Sequence, residues 1–143
     1  MALMQISEPG SHVSNTNKKK RAIGIDLGTT NSLVGFRTEN ETIIIKDEFG
    51  NALVPSIVHF PLEGKYLVGK SAEIFRESDP KNTVASVKRL LGRGAEDVVE
   101  NQLSYHYELD LSDERFLKIR TRRGSLSPVE ISSEILKLSL IHI

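Results

Sequence analysis

Asp26 and the segment Gly28-Thr29-Thr30-Asn31 are the residues of this chain that point most clearly to chemistry. Glycine allows a ligand to approach the backbone closely, and successive N–H groups in a turn form a concavity that binds anions. A carboxylate alone would repel a phosphate, so Asp26 makes sense beside one only if a hard cation lies between them, directly or through water. The pattern therefore indicates one half of a site for a magnesium nucleotide.

A plain hairpin turn is the simpler alternative, because Asp, Gly and Thr are ordinary turn residues. Here, however, the pattern extends over a dozen positions, with apolar runs at 22–27 and 33–36 on either side of the polar centre. Such flanks predict two β-strands joined by a tight turn. The agreement between the turn and its flanks favours the phosphate-binding interpretation.

Lys88 is the second candidate for chemistry. It lies in the stretch VKRLLGR, where apolar neighbours on both sides would hold Lys88 and Arg89 in place. A fixed lysine can position an attacking water and stabilise charge on a transferring phosphoryl group. A solvated basic face is the alternative, which this stretch alone favours; the pattern from Asp26 to Asn31 shifts the balance towards a catalytic role.

The segment from Gly64 to Ser71 matches the P-loop pattern G-x-x-x-x-G-K-[ST] letter for letter. A P-loop follows a buried apolar strand, whereas Pro61 to Glu63 precede this segment. Its four variable positions, Lys-Tyr-Leu-Val, are typical of a strand, and a strand cannot wrap around phosphates. We therefore reject the P-loop and predict a turn, a short strand and the start of a helix.

The composition of the chain excludes several other classes of function. The net charge of its 143 residues is zero, which argues against bulk binding to nucleic acid or to an anionic membrane. No cysteine is present, so disulfides and thiolate metal sites are excluded. The four histidines are scattered, and neither a zinc site nor a Ser-His-Asp triad is indicated. No apolar run could span a bilayer and no secretory signal is recognisable, so a cytoplasmic protein is expected.

The remaining elements must position these residues. We expect residues 1–21 to be a flexible arm with a basic end. Further strands are predicted at 41–45, 53–60, 65–68, 105–109, 116–120 and 123–126, and helices at 69–77, 83–91 and 95–103. A last helix begins at Pro128, with Ser127 and Glu130 as a capping box and Ile131, Ile135 and Leu138 as its buried stripe. This order indicates an α/β or α+β fold with a mixed sheet.

The segment GIDLGTTNS at residues 24–32 resembles the first phosphate loop of the DnaK-type heat-shock chaperones. The resemblance continues at residues 54–58, 67–69, 82–83, 88–93 and 128–137 and covers nearly all of residues 1–137. The first ten residues, MALMQISEPG, resemble the HscA branch of the family.

This resemblance implies an actin-like, ribonuclease-H-like ATPase fold, of which residues 22–137 would form part of the first lobe. It implies that Gly28, Thr29, Thr30 and Asn31 contact the β- and γ-phosphates of ATP. Asp26 would hold Mg²⁺ through water, and Lys88 would act near the attacking water. In the HscA branch, the implied partners are a J-domain co-chaperone, an iron–sulfur cluster scaffold protein as client, and unfolded peptides.

The chain departs from the family pattern in three places. Residues 69–73 are looser than the usual form, residues 138–143 do not look like family sequence, and a second phosphate loop, an adenosine pocket and a substrate-binding domain would lie beyond residue 143. This segment is therefore expected to be inactive alone. Two alternatives stay open: a sugar or glycerol kinase of the same superfamily, and a non-catalytic interaction module.

Overall fold

The computed structural model describes residues 22–100, 105–113 and 116–141. The expected flexible arm at residues 1–21 and the end of the expected helix at 101–103 lie outside the described residues. The strands are β1 Ala22–Leu27, β2 Asn31–Arg37, β3 Thr42–Ile44, β4 Val54–Pro55, β5 Ile57–His59, β6 Leu67–Val68, β7 Thr83–Ala85, β8 Glu108–Asp110, β9 Lys118–Thr121 and β10 Gly124–Leu126. The helices are α1 Lys70–Glu73, α2 Ala95–Glu100 and α3 Pro128–Ile141, with 3₁₀ turns at Pro80–Asn82 and Val87–Leu90.

The first sheet confirms the predicted hairpin. Strand β1 pairs antiparallel with β2, from Ala22 opposite Arg37 to Leu27 opposite Ser32, and residues 28–30 form the connection. Strands β3 and β4 both pair with β2, at its opposite ends. The arrival of β4 beside Asn31 and Ser32 brings a distant part of the chain against the turn.

Two further sheets and helix α3 enclose the main core. The sheets run in the orders β6-β5-β7 and β10-β9-β8, and every described pairing is antiparallel. Val58, Phe60, Val84, Ile131 and Ile135 have no solvent-exposed surface. The α/β class predicted from the sequence is thus confirmed, whereas the expected mixed sheet is wrong for the described residues, because short turns join several neighbouring strands in antiparallel pairs.

Helix α3 begins as the capping-box pattern predicts. The Ser127 N–H donates to Glu130 Oε2 at 2.7 Å, and the Glu130 N–H donates back to Ser127 Oγ at 3.2 Å. The bonds from Ser127 hold the pKa of the Glu130 carboxyl below its usual range. Pro128 occupies the first helical position, where its missing N–H costs nothing.

Two of the expected helices differ from the structure: the first was predicted too long, and the second is wrong. The helix expected at 69–77 is α1 at Lys70–Glu73, followed by turns. The helix expected at 83–91 is instead strand β7 followed by the 3₁₀ turn Val87–Leu90. The β-branched residues Thr83 and Val84 pair with β5, and this pairing overrides the helical spacing of the apolar residues.

His59 makes the stability of this core depend on pH. Its ring is 3% exposed, stacks on Phe75 with ring centroids 4.1 Å apart, and shares a 2.9 Å hydrogen bond between Nδ1 and Thr83 Oγ1. Burial lowers the pKa of His59, and nearby Asp79 opposes this only in part. The unfolded chain therefore takes up a proton at a higher pH than the folded chain does.

We expect the contribution of His59 to the free energy of unfolding to be complete above its unfolded pKa of about 6.5 and to be lost progressively below it, so that the chain is less stable at pH 5 than at pH 7. Urea titrations of the 143-residue chain at these two pH values measure the difference. His59→Gln should flatten the dependence, whereas the same change at the exposed His106 should preserve it. An equal slope in both variants would contradict this role for His59.

Candidate nucleotide site

The turn between β1 and β2 is built so tightly that only glycine fits at position 28. A Cβ atom on Gly28 would lie 2.0 Å from the carbonyl oxygen of Asn31, far inside any real contact. The glycine is thus required by the path of the backbone itself. The signal in the sequence was the Gly-Thr-Thr-Asn turn, and its predicted position between the two strands is confirmed.

A chain of two buried serines fastens this turn to strand β4. Ser56 Oγ donates to the Gly28 carbonyl at 2.9 Å, and the Ser56 N–H donates to the Thr30 carbonyl at 2.8 Å. The Ser32 and Ser56 hydroxyl oxygens lie 2.9 Å apart. Because the Ser56 hydroxyl already donates its only proton to the Gly28 carbonyl, the Ser32 hydroxyl is the donor in the pair with Ser56. Ser56 therefore holds the turn at both its first and its third residue.

Sequence reasoning assigned no role to Ser56, although a signal was present. Ser56 lies between Val54 and Val58 in an otherwise apolar extended run. A polar side chain that is 2% exposed in such a run must find hydrogen-bond partners. Those partners lie 24 and 28 residues away, and the sequence alone could not name them.

Asp26 and the outer side of the turn present unused polar groups. Asp26 is exposed near the end of β1, and its carboxylate has no hydrogen bond or ion pair to the described residues. Thr30 and Asn31 are exposed and Thr29 is half-buried. Within the described ranges, the backbone N–H groups of Thr29 and Thr30 donate to no backbone carbonyl. Free N–H donors are the groups that hold phosphate oxygens in a turn.

These groups fit a magnesium-bound phosphate. Carboxylate and hydroxyl oxygens are the hard ligands that Mg²⁺ prefers, and Mg²⁺ commonly binds through one or two carboxylates while keeping several waters. Among the described residues, no group of three or more His, Asp, Glu or Cys side chains is placed so that it could hold a metal ion. A magnesium ion beside Asp26 would therefore be held by one carboxylate, by water and by the phosphates of its ligand.

Lys88 lies on a separate part of the fold. Its turn, Val87–Leu90, follows β7 and is anchored by Val87 and Leu90, each 1% exposed. Ser86 before it has a left-handed backbone with φ of 58°, an uncommon conformation for serine. The Lys88 side chain is exposed and has no bond to Asp26 or to residues 28–31. The predicted pinning by apolar neighbours is thus present, while the structure brings only Asp26, the turn and Ser56 together.

The segment that mimics a P-loop has the structure expected of a false match. Leu67 and Val68 form strand β6, and the Gly69 N–H donates a 3.0 Å hydrogen bond to the Ile57 carbonyl. Lys70 Nζ is bound to Glu73 Oε2 at 2.6 Å on an exposed surface. The predicted order of turn, short strand and helix start is confirmed, although the strand covers only Leu67–Val68 of the predicted 65–68.

Ser56→Ala is expected to lower the free energy of unfolding of the chain by about 1–3 kcal/mol, because it leaves the buried Ser32 hydroxyl and the Gly28 carbonyl without their partner. Urea unfolding of the purified chain measures the loss. Ser133→Ala is the matched control: it removes a serine whose 2.6 Å bond to the Glu130 carbonyl lies within a helix. Equal effects of the two changes would contradict an anchoring role for Ser56.

Known proteins resemble this chain over nearly its whole length, including the turn at residues 28–31. Residues 22–139 match the family model described as Hsp70 protein. A chaperone protein HscA homolog of Mannheimia succiniciproducens is 48% identical over 137 residues, and that of Histophilus somni is 45% identical over the same length. The homolog of Methylobacillus flagellatus is 46% identical over 138 residues. Each alignment covers 96% of this chain, which spans 22% of the length of these relatives.

Proposed function

Because the chain belongs to the Hsp70 family, we propose that it forms the N-terminal part of the nucleotide-binding domain of an HscA-like chaperone ATPase. The fold is a partial lobe of the actin-like ATPase fold of that family, with antiparallel sheets and flanking helices. The match to the Hsp70 family argues against the alternative that the chain is part of a sugar or glycerol kinase. The division into an arm at 1–21, a domain part at 22–137 and a foreign tail at 138–143 is part of the proposal.

The ligand in this proposal is ATP with Mg²⁺, and its phosphates lie against the turn at Gly28, Thr29, Thr30 and Asn31. The single observation that carries the proposal is a turn anchored by Ser56, whose N–H groups at Thr29 and Thr30 and nearby Asp26 carboxylate have no partner among the described residues. When bound, Mg²⁺ neutralises charge on the phosphates. Asp26 would hold and orient the hydrated ion, while the turn would fix the position of the terminal phosphate.

Lys88 is proposed as the catalytic residue. An ammonium group is a compact point charge with three donors, able to hold a water molecule and to stabilise negative charge on the phosphoryl group. The turn anchored by Val87 and Leu90 supports this role, because it fixes the backbone from which the lysine extends.

The names of the relatives support a chaperone that acts on client proteins, and we propose the specific partners from the resemblance to the HscA branch. They are a J-domain co-chaperone, an iron–sulfur cluster scaffold protein as client, and unfolded peptides, with no role for nucleic acid or membrane. A cytoplasmic location belongs to the same proposal and rests on membership of the family. Within the described ranges, every helix is too short or too polar to cross a bilayer.

The test is a chimera in which this chain replaces the matching segment of the Mannheimia succiniciproducens relative. We expect the chimera to bind ATP, to hydrolyse it faster when a J-domain protein is added, and to leave glycerol and hexoses unphosphorylated. A chimera that folds but binds no nucleotide would favour the remaining alternative, a non-catalytic interaction module, and would overturn the proposal.

A further inference from the structure

A small positively charged cavity lies behind the turn that carries Lys88. It encloses about 170 Å³ between the end of β7, the Val87–Leu90 turn and the segment before β8. None of its lining residues belongs to the segment from Asp26 to Asn31, and none carries a carboxylate. Apart from Ala85, its lining residues are polar or charged: Arg76, Thr83, Ser86, Arg89, Tyr105, His106 and Tyr107.

The two arginines of this cavity lack the partners that other arginines of the chain have. Neither Arg76 nor Arg89 forms an ion pair or hydrogen bond through its side chain to the described residues. By contrast, Arg122 Nη2 lies 3.1 Å from Asp79, and the Arg123 guanidinium donates to the Leu62 carbonyl at 3.0 Å. Two guanidinium groups without a neighbouring carboxylate partner at one cavity create a positive potential that attracts an anion.

A buried hydroxyl at the same wall is also unsatisfied. The Tyr107 hydroxyl donates to the Ala85 carbonyl at 3.2 Å, but the Tyr105 hydroxyl has no partner. It is the one such buried side-chain atom in the described part of the chain. The two rings are stacked with centroids 5.1 Å apart, so both belong to one wall. An orphaned buried polar atom is typical of a site from which a water or ion is missing.

The size and chemistry of the cavity restrict what it can hold. Pockets for drug-sized ligands have volumes of about 300–1,000 Å³, so a whole nucleotide does not fit. A tetrahedral oxyanion with one or two waters does, since a water molecule occupies about 30 Å³. The planar guanidinium group of an arginine can donate two parallel hydrogen bonds to two oxygen atoms of one phosphate.

We propose that this cavity is a binding site for a phosphate group, held by Arg76 and Arg89 and separate from the nucleotide turn. The ligand is inorganic phosphate or a small phosphate monoester. Arg89 adjoins Lys88, and the Arg89 N–H donates to the Ser86 carbonyl at 3.1 Å. Phosphate at this site would therefore contact the turn from which Lys88 extends.

The test is a titration of the ¹⁵N-labelled 143-residue chain with sodium phosphate at constant ionic strength, followed by NMR. We expect saturable shifts at residues 86–89 and 105–107, with a Kd on the order of 1 mM. O-phosphoserine and acetate form two parallel arms. If only O-phosphoserine causes shifts, the ligand is a phosphate monoester rather than inorganic phosphate. If acetate binds as tightly as phosphate, the proposal is overturned.

Arginine variants provide the controls. Arg76→Gln and Arg89→Gln should each weaken phosphate binding by about tenfold or more, and Arg89→Lys should weaken it less. Arg93→Gln removes an exposed arginine outside this cavity and should leave the affinity unchanged.

The same variants, built into the chimera and measured by equilibrium dialysis with labelled phosphate under saturating ADP, decide the outcome even if the isolated chain folds poorly. Equal affinities for phosphate in Arg76→Gln, Arg89→Gln and Arg93→Gln would overturn the proposal, as would the absence of saturable binding.

Discussion

Gly28→Ala is expected to abolish tight ATP binding by the chimera, with a Kd raised by about a hundredfold or more. The added Cβ would lie 2.0 Å from the Asn31 carbonyl oxygen, so the turn must open and its N–H donors must move. Opening the turn also breaks the bond between Ser56 Oγ and the Gly28 carbonyl. Isothermal titration calorimetry with ATP and Mg²⁺ measures the change.

Gly24→Ala is the matched control for this prediction. Gly24 lies in strand β1, four residues before Gly28, and a Cβ atom there would meet nothing within 4 Å. The control should bind ATP within about twofold of the parent chimera. Circular dichroism of both variants separates a local change at the turn from global unfolding. A Gly28→Ala variant that binds ATP as tightly as Gly24→Ala would show that the turn does not hold the phosphates.

Lys88→Met is expected to reduce the rate of ATP hydrolysis by about 100- to 1,000-fold while leaving the affinity for ATP nearly unchanged. The lysine would act on the water and on the charge that develops during phosphoryl transfer, so its removal affects the chemical step. Methionine keeps much of the length and the apolar part of the side chain. Single-turnover hydrolysis by the chimera, with ATP binding measured separately, distinguishes the two effects.

Lys70→Met is the control for the lysine, because Lys70 occupies the lysine position of the false P-loop match. It is paired with Glu73 on the surface and should be dispensable for hydrolysis. If Lys70→Met lowered the rate as much as Lys88→Met, the P-loop interpretation would have to be reconsidered. If neither change lowered the rate, Lys88 would lose its proposed role.

The local features of the chain could be predicted because each depends on neighbouring residues. The hairpin around residues 28–31 follows from a glycine-containing turn between two apolar runs. The start of α3 follows from Ser127, Pro128 and Glu130, whose capping bonds span three positions. In such cases the residues that determine the structure all lie within one short window of sequence.

The features that depend on distant partners were missed. The helix expected at residues 83–91 becomes a strand because β5, more than twenty residues away, offers β7 a place in its sheet. Ser56 receives its role only when β4 packs beside the turn. The charged cavity joins Arg76, Arg89 and Tyr105 from three segments whose proximity no spacing in the sequence reveals.

The most direct test of the account is the magnesium dependence of ATP binding in the chimera and in its Asp26→Asn variant. Calorimetry with Mg²⁺ and with excess EDTA gives four affinities. Asp26 is expected to matter only through the ion, so Asp26→Asn should weaken binding about tenfold or more with Mg²⁺ and leave it unchanged, or slightly tighter, with EDTA. Glu63→Gln, at another exposed carboxylate, should change neither. Magnesium-dependent affinity that is identical in the chimera and in Asp26→Asn would contradict the proposal that this carboxylate and the turn beside it form a magnesium-nucleotide site.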